Sequence, residues 1–169
     1  MQAKRLALMG IFAAVAITLS ILENALTAML NFAVPGVKIG LANIAVVLAL
    51  QYFGGGSAAI IGAIKACASF LATGAVTVLW FSLGGTALSV LGMVLLHRSN
   101  KFTLAGVSAL GGFLSNVGQL AVMILLSGTV EFLYYLPVLT LFGVGFGFAI
   151  GVIANLVCRN LRLGGTAAR

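Results

Sequence analysis

Residues Ser57–Gly74 read SAAIIGAIKACASFLATG, a run long and apolar enough to cross a bilayer as one helix, with a lysine, Lys65, at its middle. A charge near the bilayer centre costs roughly 2.5–3.5 kcal/mol on insertion scales, so such a residue ordinarily faces a cavity or a partner and is a functional candidate by default. On a helix Ala58, Gly62, Lys65, Ser69 and Ala72 fall on one stripe, while Ile60, Ile64, Cys67 and Leu71 fall on the other. The lysine is expected to point into a bundle, with lipid against the opposite face.

Working outward, the composition supports the same environment. Hydrophobic residues make up 62% of the 169, charged residues 7%, and the mean hydropathy is +1.24, whereas soluble domains carry about 25% charged residues. The chain is expected to be an all-α, polytopic membrane protein with a single transmembrane domain over residues 1–169. Two cysteines, one histidine and two acids show no metal-ligand spacing, so no metal site is expected. Cys67 and Cys158 read as apolar fillers.

Lys4 and Arg5 precede an apolar run, Leu6–Leu22, which resembles the start of a signal peptide but reads as a retained first span because further spans follow. Its Ala3, Ala7, Gly10 and Ala14 form a small-residue stripe suited to close approach of another helix, either within this chain or from a partner. Glu23, Asn24, Thr27 and Asn31 make the far end polar, and Val34-Pro35-Gly36 breaks the helix. Lys38–Phe53 is the expected second span, somewhat short. Gly54-Gly55-Gly56 then turns the chain into the central span; it follows no strand and lacks a Lys-Ser/Thr partner, which excludes a phosphate loop.

A fourth span is expected over Val76–Leu96, with Trp80 near its start as an interfacial anchor and Gly85, Ser89 and Gly92 on one face. His97, Arg98 and Lys101 follow as a loop. The fifth span, Thr103–Leu126, carries Gly112, Ser115, Asn116 and Gln119 on adjoining positions of one face, an unusual polar load. Gly128–Tyr135 reads as an outer loop and Pro137 opens the sixth span. There Gly143, Gly147, Gly151 and Asn155 recur every fourth residue, a pattern for close helix packing.

Six spans put both termini on one side, together with the loops after spans two and four. That side holds Lys4, Arg5, Arg98, Lys101, Arg159, Arg162 and Arg169, seven of the nine basic residues. The positive-inside rule makes it cytoplasmic. The same placement explains the net charge of +7 without a nucleic-acid partner.

By depth, Lys65, Asn116 and Gln119 lie near mid-membrane or slightly outward, and Asn43, Asn24 and Glu23 lie in the outer half. The 31–38 loop could close above them. This describes an outward-facing pocket with two cations against one or two acids, suited to an anionic or strongly polar small molecule. The candidate ligand-binding residues are Lys65 as anion partner, Asn116 and Gln119 as hydrogen-bond donors and acceptors, Asn43, Asn24 and Ser69 as pocket wall, and Lys38 as a loop contact.

Pro35–Ile44, PGVKIGLANI, together with Lys65, Phe81–Gly85, Ser89, Ser115–Leu120 and Gly128-Thr129, resembles the bacterial membrane proteins known as heptaprenyl diphosphate synthase component I. That family is also called the Gx transporter family and is similar to the substrate-binding S components of energy-coupling-factor (ECF) transporters. The resemblance runs from about Lys4 to Asn155. It implies a six-helix S component of the bacterial cytoplasmic membrane, with cytoplasmic termini and an outward-facing ligand site. Coupling to a transmembrane T component and two ATPase subunits would run through the small-residue face of the first span. The chain has no Walker A sequence, so it needs no cofactor of its own and ATP would be used by the partners. The family name taken literally implies instead a subunit or anchor of a prenyl diphosphate synthase. That chemistry needs clustered aspartates, and the chain has only Glu23 and Glu131 as acids. A scaffold without a ligand is the third reading.

Overall fold

The computed structural model describes residues 2–30 and 40–160. Among these the chain is helical: α1 (Gln2–Leu30), α2 (Asn43–Phe53), α3 (Gly55–Thr73), α4 (Val76–Arg98), α5 (Leu104–Ser127), a short 3-10 helix (Val130–Tyr135) and α6 (Leu136–Asn160). All but α2 and the 3-10 turn are long and apolar enough to cross a membrane, which gives five candidate spans among the described residues. Large apolar side chains such as Leu91, Leu125, Leu141 and Phe148 stand exposed on the outer faces. Water would not tolerate so continuous an apolar exterior; lipid does.

α2 departs from the expected second span. Eleven helical residues rise only about 16 Å, half of a bilayer core of about 30 Å. Its burial gives the reason. Ala45, Val46, Val47, Leu48, Ala49 and Leu50 are all buried, and a helix apolar on every side belongs inside a bundle. The long helices pack in the order α1, α3, α4, α5, α6, and α2 touches α1, α3, α5 and α6. It therefore sits within the row that the others form. At its C-terminal end Gly54, with φ +89, reverses the chain directly into α3, a conformation that glycine adopts without a side-chain clash.

α1 holds this inner helix near both ends. Arg5 donates to the Phe53 carbonyl at 3.1 Å and lies 6.0 Å from the centre of the Phe53 ring. The guanidinium thus meets the negative end of the α2 dipole. At the other end Glu23 accepts from backbone amides. Between them Phe12 packs on Tyr52 and Phe53.

The α5–α6 contact is made by backbones. An added Cβ on Gly112 would meet the Gly143 carbonyl oxygen, one on Gly147 would come within 2.7 Å of Ser108 O, and one on Gly151 within 2.5 Å of Ala105 Cα. The four-residue glycine spacing of α6 is thus a packing seam, as the sequence pattern requires. Asn155 leaves the seam and is exposed, because it lies one turn past the point where Gly151 meets the start of α5. On α4, Gly85 and Gly92 likewise abut α5. Thr103 caps α5, its hydroxyl accepting from Gly106 N at 3.3 Å.

Three smaller expectations change. The inward stripe of α3 ends at Ser69; Ala72 is exposed, because the last turn runs out to the exposed cap at Gly74. His97 and Arg98 complete α4 and are not loop residues. Most of the expected outer loop is the 3-10 helix. Arg162, Arg169 and the 31–38 loop lie outside the described residues.

Candidate functional site

Five helices bring polar groups to one buried point, and a sixth closes it. From α1 come Ser20, Glu23 and Asn24, spaced three and four residues apart so that they share a face. The start of α2 adds Gly40 and Asn43, α3 adds Lys65 and Ser69, and α4 adds Ser82. Ser115, Asn116 and Gln119 of α5 close the far wall, against Gly143, Phe146 and Ile150 of α6.

Lys65 turns inward, as its stripe requires. Its Nζ donates to Asn43 Oδ1 at 2.6 Å, so the ammonium is held inside the bundle and away from the headgroups. Glu23 is buried, and its carboxylate receives Gly40 N at 2.5 Å and Ala42 N at 3.3 Å. These amides open α2, where a helix leaves its first N–H groups without intrahelical acceptors. A buried carboxylate needs such donors, and the positive end of the dipole favours its charge.

The serines join helices. Ser20 and Ser69 hydroxyls lie 2.7 Å apart, and Ser20 Oγ also donates to Lys65 O at 3.4 Å. α1 is thereby fixed against α3 at the level of the lysine.

Asn116 and Gln119 face the cavity, but part of their capacity is already used. Asn116 Nδ2 donates to Leu139 O at 2.7 Å, tying α5 to α6, and Gln119 Nε2 donates to Ser115 Oγ at 3.2 Å. Asn24 differs: its Nδ2 is buried and finds no acceptor among the described residues. An unsatisfied buried donor costs about 1–3 kcal/mol, and a ligand acceptor or a water would remove that cost.

Six of the seven candidate ligand residues, Lys65, Asn116, Gln119, Asn43, Asn24 and Ser69, therefore line one cavity. The seventh, Lys38, lies outside the described residues. Ser20, Glu23, Ser82 and Ser115 line it as well and were not among the candidate ligand residues. The helical spacing of Ser20, Glu23, Asn24 and Thr27 was a signal for the first two; a single serine on α4 gave none.

The expected open pocket is contracted here. Its volume is about 30 Å³, and one water site needs roughly 10–15 Å³, so the space suits about two waters. Ligand sites for drug-sized molecules run to about 300–1,000 Å³.

The small residues of α1 take a different place. Ala3, Ala7, Gly10 and Ala14 are all exposed, and an added Cβ on Gly10 would meet nothing within 4 Å. The opposite face, with Phe12, Ala16, Ser20 and Glu23, packs inward. The stripe is not used in packing among the described residues.

The family model described as heptaprenyl diphosphate synthase component I covers residues 12–157. No curated protein and no solved structure matches. Because that match runs from the inward face of α1 through every described cavity residue to the last turns of α6, the chain belongs to the heptaprenyl diphosphate synthase component I family.

Proposed function

We propose that this chain is the substrate-binding S component of an ECF-type importer, a six-helix, non-catalytic subunit of the bacterial cytoplasmic membrane. It captures a small polar or anionic, vitamin-like or precursor molecule from the outer face. ATP is hydrolysed by two partner ATPases, which act through a transmembrane T component.

The observation that carries this reading is the convergence of Lys65, Asn43, Asn24, Ser69, Asn116 and Gln119 on one interior cavity of an otherwise apolar bundle. Polar groups inside a membrane are expensive, and their clustering at one point is what a ligand site requires. Because the cavity of about 30 Å³ is smaller than such a molecule, binding on this reading includes a rearrangement of the surrounding helices. The exposed stripe Ala3, Ala7, Gly10 and Ala14 offers a face on which the T component can pack.

The family's description favours a second reading, a membrane subunit or anchor of a polyprenyl diphosphate synthase. Magnesium-pyrophosphate chemistry needs carboxylates free to coordinate and close together. Glu23 is engaged by the α2 amides, and Glu131 lies on the exposed 3-10 helix. Any catalysis would then reside in a partner.

Two experiments separate the readings. Affinity purification of the tagged chain from its native membrane should retain a T component and ATPases; retention of a soluble prenyl synthase in their place would favour the second reading. A thermal-shift screen of polar vitamins, flavins, quinone precursors and isoprenoid phosphates should give a specific hit that K65M abolishes. Absence of any hit would favour a scaffold.

A further inference from the structure

We propose that Glu23 is a positioning residue for Lys65, acting through the first turn of α2. The inference rests on the cavity being the ligand site, because it names what fixes the geometry of that site.

Glu23 receives the Gly40 and Ala42 amides on its two carboxylate oxygens. That fixes the start of α2 against α1. Asn43 is the next residue, and its Oδ1 accepts from Lys65 Nζ at 2.6 Å. Its amide lies over Gly40 of the same turn: a Cβ added there would come within 3.3 Å of Asn43 Nδ2, so the turn that Glu23 pins leaves room for the amide because it carries no side chain at that point. An 11-residue helix is marginal by itself, and its first turn holds position only through such tertiary contacts. α1 thus reaches α3 through two α2 contacts, with no direct bond between the carboxylate and the lysine required.

The oxygens matter as a pair. Glutamine offers one acceptor where glutamate offers two, and aspartate keeps the charge but falls short by one methylene.

The test measures Lys65 itself and needs no ligand. Detergent-purified full chain is treated with N-hydroxysulfosuccinimide acetate, and acetylation of Lys65 is followed by peptide mass spectrometry against Lys101, an exposed lysine between α4 and α5. In Asn43→Ala the amine, having lost this bond, should react about tenfold faster, as expected for losing a hydrogen bond to a charged group. Glu23→Gln and Glu23→Asp should each accelerate it several-fold, and Glu23→Gln combined with Asn43→Ala should react no faster than Asn43→Ala alone. Wild-type rates in the single variants would overturn the proposal. So would an aspartate variant that behaves as wild type while glutamine does not, since charge alone would then be acting. A full additional acceleration in the Asn43→Ala background would also overturn it, by showing a direct path. Melting temperatures identify a variant that fails to fold, and the aspartate variant serves if glutamine does so. A positive result beside an empty ligand screen would leave Glu23 as a positioning residue while removing the transport reading.

Discussion

The α5–α6 seam and the Lys65 cavity share a wall, yet they are built differently. In the seam, Gly112, Gly143, Gly147 and Gly151 let two backbones meet, and an added carbon would strike main-chain atoms. In the cavity, the joining groups are polar side chains from five helices, bonded to one another and to backbone atoms. The seam is a fixed joint, because backbone cannot yield. The cavity is held by side-chain hydrogen bonds such as Lys65 to Asn43 and Ser20 to Ser69, which can be exchanged for other bonds without moving backbone.

Substitutions can break or sharpen this contrast. The largest effect belongs to the seam: Gly112→Val places side-chain carbon against the Gly143 backbone and should cost about 3 kcal/mol or more, read as unfolding at lower detergent denaturant. A value near zero would mean that α5 and α6 do not meet there. Asn116→Leu removes the bond to Leu139 O on the shared wall and should cost about 0.6 kcal/mol, the average for such bonds in membrane proteins. A loss as large as that of Gly112→Val would make the cavity wall as rigid as the seam. Smallest of all, Gly145→Ala lies on the outward face of α6 with nothing within 4 Å and should raise stability by about 0.5 kcal/mol. Destabilisation would place an unseen contact on that face.

The two regions also differ in how much of them the sequence disclosed. The glycine register of α6 follows from helical geometry within one segment, so the seam was legible without coordinates. Lys65 and its stripe were legible for the same reason, since a charge in an apolar run must turn inward. The length of α2 was not. Ile44–Leu50 within it is apolar all round, and such a run describes a helix buried in protein as well as one facing lipid. Glu23 was legible at pocket depth, but its bonds to the start of α2, and the place of Ser82 in the cavity, depend on contacts between distant segments. The use of Asn116 as a tie to α6 could not be told from use as a ligand group, because both roles call for the same amide at the same depth.

The account turns on the interior around Lys65 accommodating a small polar molecule. Native mass spectrometry of the detergent-purified chain, compared with Lys65→Met prepared in parallel, tests this most directly. The account predicts a bound non-lipid mass that dissociates from the wild-type protein on collisional activation and is missing from a folded Lys65→Met. Identical spectra from the two proteins, with lipid as the sole adduct, would contradict it.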